Sequence, residues 1–343
     1  GTSITSSGSS QGNGGSGGES YGGGIYAVYS NLTLTSTTVD SNIQTGGGGG
    51  DGGGNNSFSG SSARGDGGDA GGGGIYAYQT LIDISGTSSI SKNENHGGIG
   101  GYSGNPRKSG NLAANAFDAS SSGGVYGGGL FLDYGSSLDA SGLTINANKN
   151  IAGDGTVGKA NPNSDGGYGG DGGDAEGGGI YLYQSDIEAT NLVVTNNINT
   201  AGNGGLGGAG SSSAPKGLGG YAGEATGGGI YADSNSFYGN AITLHGVSSI
   251  SKNKNTGGDA KSGSGGDAIG GGIYIYGMSL LAPDATSVTI DGNTNKAGVG
   301  ADGYVNNGNS NGQEGGEAQG GGVFAEYAIS ISGINLSLIH ISE

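Results

Sequence analysis

The residues best suited to chemistry are acidic side chains that recur at one position of a repeated segment. Each follows a glycine, precedes Ala or Ser in most units, and stands shortly before three consecutive glycines. The acids are Glu19, Asp69, Asp174, Glu224, Asp267 and Glu317. Carboxylate and glycine carbonyl oxygens are ligands that Ca²⁺ prefers, so Asp69, Asp174, Glu224, Asp267 and Glu317 form a candidate calcium site. Because calcium needs several carboxylates at fixed offsets, we favour the alternative of a solvated acidic column that resists aggregation.

A second candidate is the aromatic residue that follows one aliphatic residue after the three glycines. Its members are Tyr26, Tyr76, Phe131, Tyr181, Tyr231, Tyr274 and Phe324. Stacked at the spacing of neighbouring strands, these rings would form a continuous stripe that could contact glycans. A bare stripe of this length would invite aggregation, so we expect the glycine-rich segments to cover it as a second small core.

Catalytic constellations are not apparent in this sequence. His96, His245 and His340 occupy non-equivalent places, and neither a Ser-His-Asp nor an HExxH arrangement occurs. Catalysis needs one unique arrangement, whereas every notable residue here is repeated. We therefore expect no enzyme and no catalytic residues. The alternative is a polysaccharide lyase or hydrolase whose groove the sequence does not reveal.

The elements that must position these residues come from a unit of about fifty residues that occurs seven times. Each unit carries GGG followed by an aliphatic residue, and these markers are Ile25, Ile75, Leu130, Ile180, Ile230, Ile273 and Val323. Short runs with alternating apolar residues follow, such as Ile82 and Ile84 or Ile242 and Leu244. Alternation with period two predicts strands.

Asparagine marks a second position of the unit, three residues after an aliphatic residue. These residues are Asn42, Asn93, Asn148, Asn197, Asn253 and Asn293, and a second amide column follows at Gln44, Asn95, Asn150, Asn199, Asn255 and Asn295. Asparagine tolerates the left-handed backbone region, which suits a sharp corner between strands, and stacked amides can form a hydrogen-bonded ladder. Both columns are predicted to be scaffold.

Between each asparagine corner and the next three glycines lies a long stretch dominated by Gly, Ser, Asn and Asp. Parts of this stretch have a three-residue period, as in GGYGGDGGD before Ile180. A polyproline II helix also has three residues per turn. Our hypothesis is an ordered glycine layer beside the strands, held partly by weak Cα hydrogen bonds. Disordered loops are the alternative, because ordering glycine costs much entropy.

The two markers together resemble the FxxN and GGA-[ILV] repeats of polymorphic outer-membrane proteins and related autotransporter passengers. The resemblance covers nearly the whole chain and implies a right-handed parallel β-helix that acts as a surface adhesin. Three features differ from that family. Val or Ile replaces Phe in the first motif, Gly replaces Ala in the second, and the glycine-rich insertions are far longer.

Composition narrows the classes of protein further. A net charge of −17 repels nucleic acid and anionic lipid surfaces, and no run is apolar enough to span a bilayer. The absence of cysteine removes disulfides and thiolate metal sites. No nucleic acid partner, no membrane insertion and no cofactor other than a possible Ca²⁺ ion is expected.

The sequence therefore predicts an all-β protein, a right-handed parallel β-helix of seven levels in a single domain over residues 1–335. Residues 336–343 depart from the pattern and are interpreted as a non-native read-through tail of an environmental sequence, so we expect a longer natural protein. The expected function is a secreted or cell-surface structural or adhesive module, with calcium or glycan binding as the alternative. Its expected partners are further repeats of the same protein and surface glycans or proteins.

Overall fold

The computed structural model describes residues 13–52, 64–102, 118–160, 165–211, 216–234, 240–261, 263–301, 312–327 and 330–332. In these residues the protein is all-β and folds as a parallel β-helix with five parallel sheets, here called sheets A to E. Each full level of the helix contributes one strand to each sheet. The expected tail, 336–343, lies outside the described residues.

The strands of each sheet follow one another at equivalent positions of successive units. Sheet A contains Ser20–Tyr21, Ala70–Gly71, Val125–Tyr126, Ala175–Glu176, Ala225–Thr226, Ala268–Ile269 and Ala318–Gln319. Sheet B contains Ile25–Val28, Ile75–Tyr78, Leu130–Asp133, Ile180–Tyr183, Ile230–Asp233, Ile273–Tyr276 and Val323–Glu326. Sheet C contains Asn31–Thr35, Leu81–Ser85, Ser137–Ser141, Asp186–Thr190, Ala241–His245, Ser279–Leu281 and Ser330–Ser332. Sheet D contains Thr38–Asp40, Ser88–Ser91, Leu143–Asn146, Val193–Thr195, Val247–Ser251 and Ser287–Asp291, and sheet E contains Ile43–Thr45, Glu94–His96, Lys149–Ile151, Ile198–Thr200, Lys254–Thr256 and Thr294–Lys296.

The register of the sheets follows the repeat markers. Ile75 pairs with Leu130 and Leu130 with Ile180, so the aliphatic markers stack directly on one another. Their side chains point inward and are fully buried, as is Leu182 two residues further along. Alternate residues of sheets B, C and D thus fill one continuous aliphatic core.

The corners between strands use left-handed backbone at the residue before each asparagine, not at the asparagine itself. Ala147 has φ 55° and precedes Asn148, and Lys252 has φ 56° and precedes Asn253. This corrects the expectation that asparagine would occupy the left-handed position. The asparagine side chain turns inward instead, where its amide is needed for hydrogen bonding between levels.

The glycine-rich stretches form an ordered glycine layer in the described residues. We define this layer by its outgoing segments, 46–52, 97–102, 152–158, 201–208, 257–260 and 297–301, and its returning segments, 14–18, 65–69, 118–124, 166–174, 217–224, 263–267 and 313–317. Outgoing and returning segments are joined by backbone hydrogen bonds at every third residue. The amides of Gly202, Gly205 and Gly208 donate to the carbonyls of Gly173, Gly170 and Gly167 at 2.9, 2.9 and 2.7 Å.

The hydrogen bonds nearest the β-helix continue through every level of the glycine layer. They link Gly18, Gly47, Gly68, Gly98, Gly123, Gly153, Gly173, Gly202, Gly223, Gly258, Gly266, Gly298 and Gly316 in one run. A Cβ atom on Gly173 would lie 2.1 Å from the carbonyl oxygen of Gly123, so this close approach excludes any side chain. Glycine is therefore required here by packing between levels, and the ordered alternative of the sequence analysis is confirmed for these residues.

A small alanine-rich cluster lies where the glycine layer joins sheet A. It consists of Ala70, Val125, Ala152, Ala175, Ala201 and Ala225, all buried. No helix among the described residues is long and apolar enough to cross a membrane.

Candidate functional site

The first asparagine column is a hydrogen-bonded ladder through the middle of the molecule. The Asn148 amide donates from Nδ2 to Asn197 Oδ1 at 3.0 Å, and Asn197 donates to Asn253 in the same way at 2.9 Å. The same oxygens also accept a backbone N–H from the preceding level. These side chains are fully buried and their groups are paired within the scaffold, as the sequence predicted.

The second amide column joins sheet E to sheet A. Asn95 Nδ2 lies 2.9 Å from Asn150 Oδ1 and 3.0 Å from the carbonyl oxygen of Tyr126. The second bond bridges the glycine-rich stretch between Asn95 and Tyr126. The second amide column therefore joins the two ends of each glycine-rich stretch, where the stretch leaves sheet E and enters sheet A. The sequence did not reveal this role.

The acid column also contributes to the scaffold. Asp174 Oδ1 accepts the backbone N–H of Glu224 at 2.8 Å, and Asp267 Oδ1 accepts that of Glu317 at 2.7 Å. Asp69 Oδ1 accepts the N–H of Gly124 at 2.8 Å, where the third unit lacks an acid. Each aspartate thus satisfies a main-chain donor of the next level, which explains why the aspartates of the column keep their register.

Metal coordination by the acid column remains a prediction. Among the described residues no group of three or more His, Cys, Asp or Glu side chains is arranged to hold a metal ion. Asp69 is half-buried, and this burial raises the pKa of its carboxyl, while the Gly124 N–H opposes the shift. Glu224 and Glu317 extend the column at later levels. A calcium ion would have to compete with the backbone donors that the aspartates already accept.

The aromatic stripe is buried at its centre and open at its first level. Tyr76, Phe131 and Tyr181 are 7%, 7% and 9% exposed, whereas Tyr26 is 62% exposed. The later rings stack face to face, with ring centroids 4.8 Å apart for Tyr181 and Tyr231. Further members are Tyr274 and Phe324, whose rings lie 5.5 Å apart.

Side chains of sheet A cover the central rings of the stripe. The Tyr126 ring packs edge-on against Tyr181 at 5.3 Å, and Tyr21 packs against Tyr76 at 4.9 Å. Coverage was expected from the glycine-rich segments, but it comes from sheet A, whose two-residue strands follow those segments and bring Tyr21 and Tyr126 against the stripe. The faces of the central rings are consequently closed to a sugar.

A carboxyl group lies against the covered part of the stripe. Glu176 follows Ala175 in sheet A and interacts with Tyr181. Burial, followed by the nearby charges of Asp174, Asp233 and Glu224, raises the pKa of Glu176 to about 8. Glu176 is therefore largely protonated at neutral pH, because burial and the neighbouring acids outweigh the opposing hydrogen bond with Tyr181.

The histidines lie apart from one another. His96 is in sheet E beside Glu94, and His245 is in sheet C between Asp284 and Glu188. The hydrogen bond that the His245 ring donates to the Asp284 carboxylate raises the pKa of His245. His340 lies outside the described residues. The described histidines thus occupy separate surfaces, as their positions in the sequence indicated.

A second set of tyrosines, which the sequence analysis did not single out, lines the corner between sheets B and C. We call Tyr29, Tyr78, Tyr134 and Tyr183 the corner ladder. Their ring centroids are 5.5, 6.0 and 5.3 Å apart in that order. Tyr29 is 71% and Tyr134 is 46% exposed. The signal was present in the sequence, because six of the seven units carry a tyrosine three or four residues after the aliphatic marker.

Comparisons with known protein families, with curated proteins and with solved structures find no match to this chain. The class that the fold itself defines is a parallel β-helix with a stacked glycine layer. The resemblance to autotransporter passengers remains an expectation from the sequence motifs.

Proposed function

We propose that this chain is a rigid structural and adhesive module that acts outside the cell, at a bacterial surface. The observation that carries the proposal is the continuous run of backbone hydrogen bonds from Gly18 to Gly316, which passes through all seven levels. Main-chain bonds between levels resist deformation without relying on disulfides, and the chain contains no cysteine. Such a scaffold holds surface side chains at fixed spacing, which is what repeated contacts with another surface require.

The surrounding chemistry favours this function over catalysis. The repeated polar groups described above are bonded within the scaffold, as with Asn148 and Asp174. Seven levels at strand spacing extend only about 29 Å along the axis. A long stalk would therefore need further units of the same protein stacked on this one. The motif resemblance to surface adhesins points to the same setting.

Adhesion can be tested with beads that carry the purified chain. We expect these beads to be retained under flow on cells or matrix proteins. Gly173→Val should abolish retention, because the added side chain meets the Gly123 carbonyl and breaks the glycine layer.

The matched control is Gly18→Val. Gly18 occupies the equivalent position in the first level, where a Cβ atom meets nothing within 4 Å. Retention should survive this substitution. Equal retention by both variants, or none by the native chain, would contradict the proposal, and turnover of an acidic polysaccharide would favour a lyase instead.

A further inference from the structure

One column at the corner between sheets B and C alternates aromatic and acidic residues. The last residue of each sheet B strand pairs in register with its neighbours. In order from the first level these residues are Val28, Tyr78, Asp133, Tyr183, Asp233, Tyr276 and Glu326. Beyond Val28, a ring therefore alternates with a carboxylate at every level. We call Tyr78 to Glu326 in this column the tyrosine–acid column.

At three of the four levels where the column has no tyrosine, the neighbouring position carries one and extends the aromatic surface. Tyr29, Tyr134 and Tyr327 occupy it in the first, third and seventh levels. All three have left-handed backbone, with φ of 50°, 45° and 50°, and Gln79, Gln184 and Gly277 share this conformation at the equivalent places of other levels. The left-handed turn is thus a property of the corner itself. The rings of Tyr29 and Tyr134 lie against those of Tyr78 and Tyr183 and remain 71% and 46% exposed, so they widen the aromatic surface that a ligand could contact.

The charged residues of this column, Asp133, Asp233 and Glu326, are all acidic. Asp133 and Asp233 are half-buried beside the rings, and burial raises the pKa of each carboxyl. The Oδ1 atom of Asp233 is buried without a hydrogen-bond partner among the described residues. The faces of tyrosine rings carry negative partial charge as well, and the whole chain has a net charge of −17. A cation next to this column would interact favourably with both rings and carboxylates.

We propose that the tyrosine–acid column binds an extended basic peptide segment whose arginine or lysine side chains recur at every third residue. The carboxylates lie two levels apart, which is about 9.6 Å at strand spacing. A polyproline II chain rises about 9.3 Å in three residues and returns its side chains to the same face. Cations at every third position would therefore meet successive carboxylates, of which Asp133 and Asp233 each lie between two tyrosines of the column.

This inference deepens the proposed adhesive function, on which it rests for its setting, by naming the chemistry of the partner. Arginine fits the column best, because its planar guanidinium stacks on tyrosine and bonds a carboxylate. The long lysine side chain can place its ammonium group in the same positions.

The test is calorimetric titration of the full chain with a peptide of four Arg-Pro-Pro units. We expect saturable binding that weakens with salt. A peptide with citrulline in place of arginine keeps the shape without the charge and should not bind. A peptide with the same four arginines at every second residue should bind about tenfold more weakly, because its cations fall out of register.

Variants then separate the column from the general negative charge of the protein. Replacing Tyr78 and Tyr183 together by leucine leaves the charge unchanged and should weaken binding by about tenfold. The matched control replaces Tyr168 and Tyr221, exposed on the glycine layer, and should alter binding less than about twofold. Circular dichroism of each variant verifies that the fold is retained.

Asp233→Asn provides an independent variant, which should weaken the every-third peptide more than the every-second peptide. Equal binding of both arginine peptides, or tyrosine variants that bind as the native chain does, would overturn the proposal and indicate non-specific attraction. Binding of the citrulline peptide or of a neutral oligosaccharide at the same site would also overturn it. Bead retention without peptide binding would leave the adhesive function standing and reject only this partner.

Discussion

Asn150 donates an Nδ2 hydrogen bond of 2.9 Å to the carbonyl oxygen of Glu176, which lies 26 residues later in the chain. The described residues between them, 151–160 and 165–175, contain the outgoing and returning segments of one level of the glycine layer. The same amide also contacts Asn199 Oδ1 at 3.1 Å in the next level. One buried side chain thus connects sheet E, sheet A and the adjacent level.

Replacing Asn150 by alanine should lower the free energy of unfolding by about 2–4 kcal/mol, because several buried partners lose their hydrogen bonds together. Chemical denaturation monitored by circular dichroism measures the change. Asn146→Ala is the control, since the Asn146 amide makes an exposed bond with Asn196 and should cost less than about 0.5 kcal/mol. Similar losses in the two variants would contradict the connecting role of the second amide column.

Gly173→Ala should destabilise the protein by about 1–3 kcal/mol, because the new methyl group overlaps the carbonyl oxygen of Gly123. The same denaturation experiment measures it, and amide hydrogen exchange at Gly202 should accelerate because its acceptor is displaced. Gly18→Ala should leave both quantities nearly unchanged. A neutral effect of Gly173→Ala would mean that the glycine layer is looser than the hydrogen bonds indicate.

Asp174→Ala should accelerate amide exchange at Glu224, because the Glu224 N–H loses its carboxylate acceptor. Asp174→Asn keeps an oxygen acceptor and should preserve most of the protection. If the column instead serves calcium, both variants should weaken calcium binding in calorimetry. Unchanged exchange at Glu224 in the alanine variant would remove the structural explanation for the acid column.

Stability should fall as pH rises from about 5 to about 8, because the folded protein holds the proton of Glu176 that the unfolded chain releases. Because folding raises the pKa of Glu176, its contribution to the free energy of unfolding is complete below the unfolded pKa, which is about 4.3. That contribution is lost once the pH passes the folded pKa of about 8. Allowing for partial solvent access, the loss is on the order of 2 kcal/mol. Thermal unfolding at several pH values measures it.

Glu176→Gln should flatten this pH dependence and stabilise the protein at pH 8, since glutamine resembles the protonated acid. Asp139→Asn, at an exposed carboxylate of sheet C, serves as the control and should leave the slope in place. A slope that persists in Glu176→Gln would assign the effect to other titrating groups, among them His245, whose pKa is also raised.

The repeat and its register were predictable because they depend on residue type at fixed spacing. Stacking of Ile75, Leu130 and Ile180 follows directly from the periodicity, and so does the ladder through Asn148 and Asn197. Strand alternation also placed the aromatic residues on the face opposite the core. These features are local to one unit and are multiplied by repetition.

Other features depend on groups that meet only when distant segments fold together. The covering of Tyr181 by Tyr126 joins strands of different sheets, and the corner ladder alternates between two sequence positions, which hides it from a search for one repeated column. The left-handed corner at Ala147 was misplaced by one residue because propensity favoured the asparagine beside it.

The sequence by itself determined the parallel β-helix, its seven levels and its amide ladders. When the units stack, the equal spacing of apolar and amide residues places each residue next to its counterpart in the neighbouring level. Only the tertiary structure decided that the described parts of the glycine-rich stretches are ordered. Because a glycine has no side chain, its sequence position does not indicate which residue it will contact. The order arises from backbone hydrogen bonds between outgoing and returning segments, such as the bond between Gly202 and Gly173. The same packing decided which tyrosines are covered and which remain exposed at the corner.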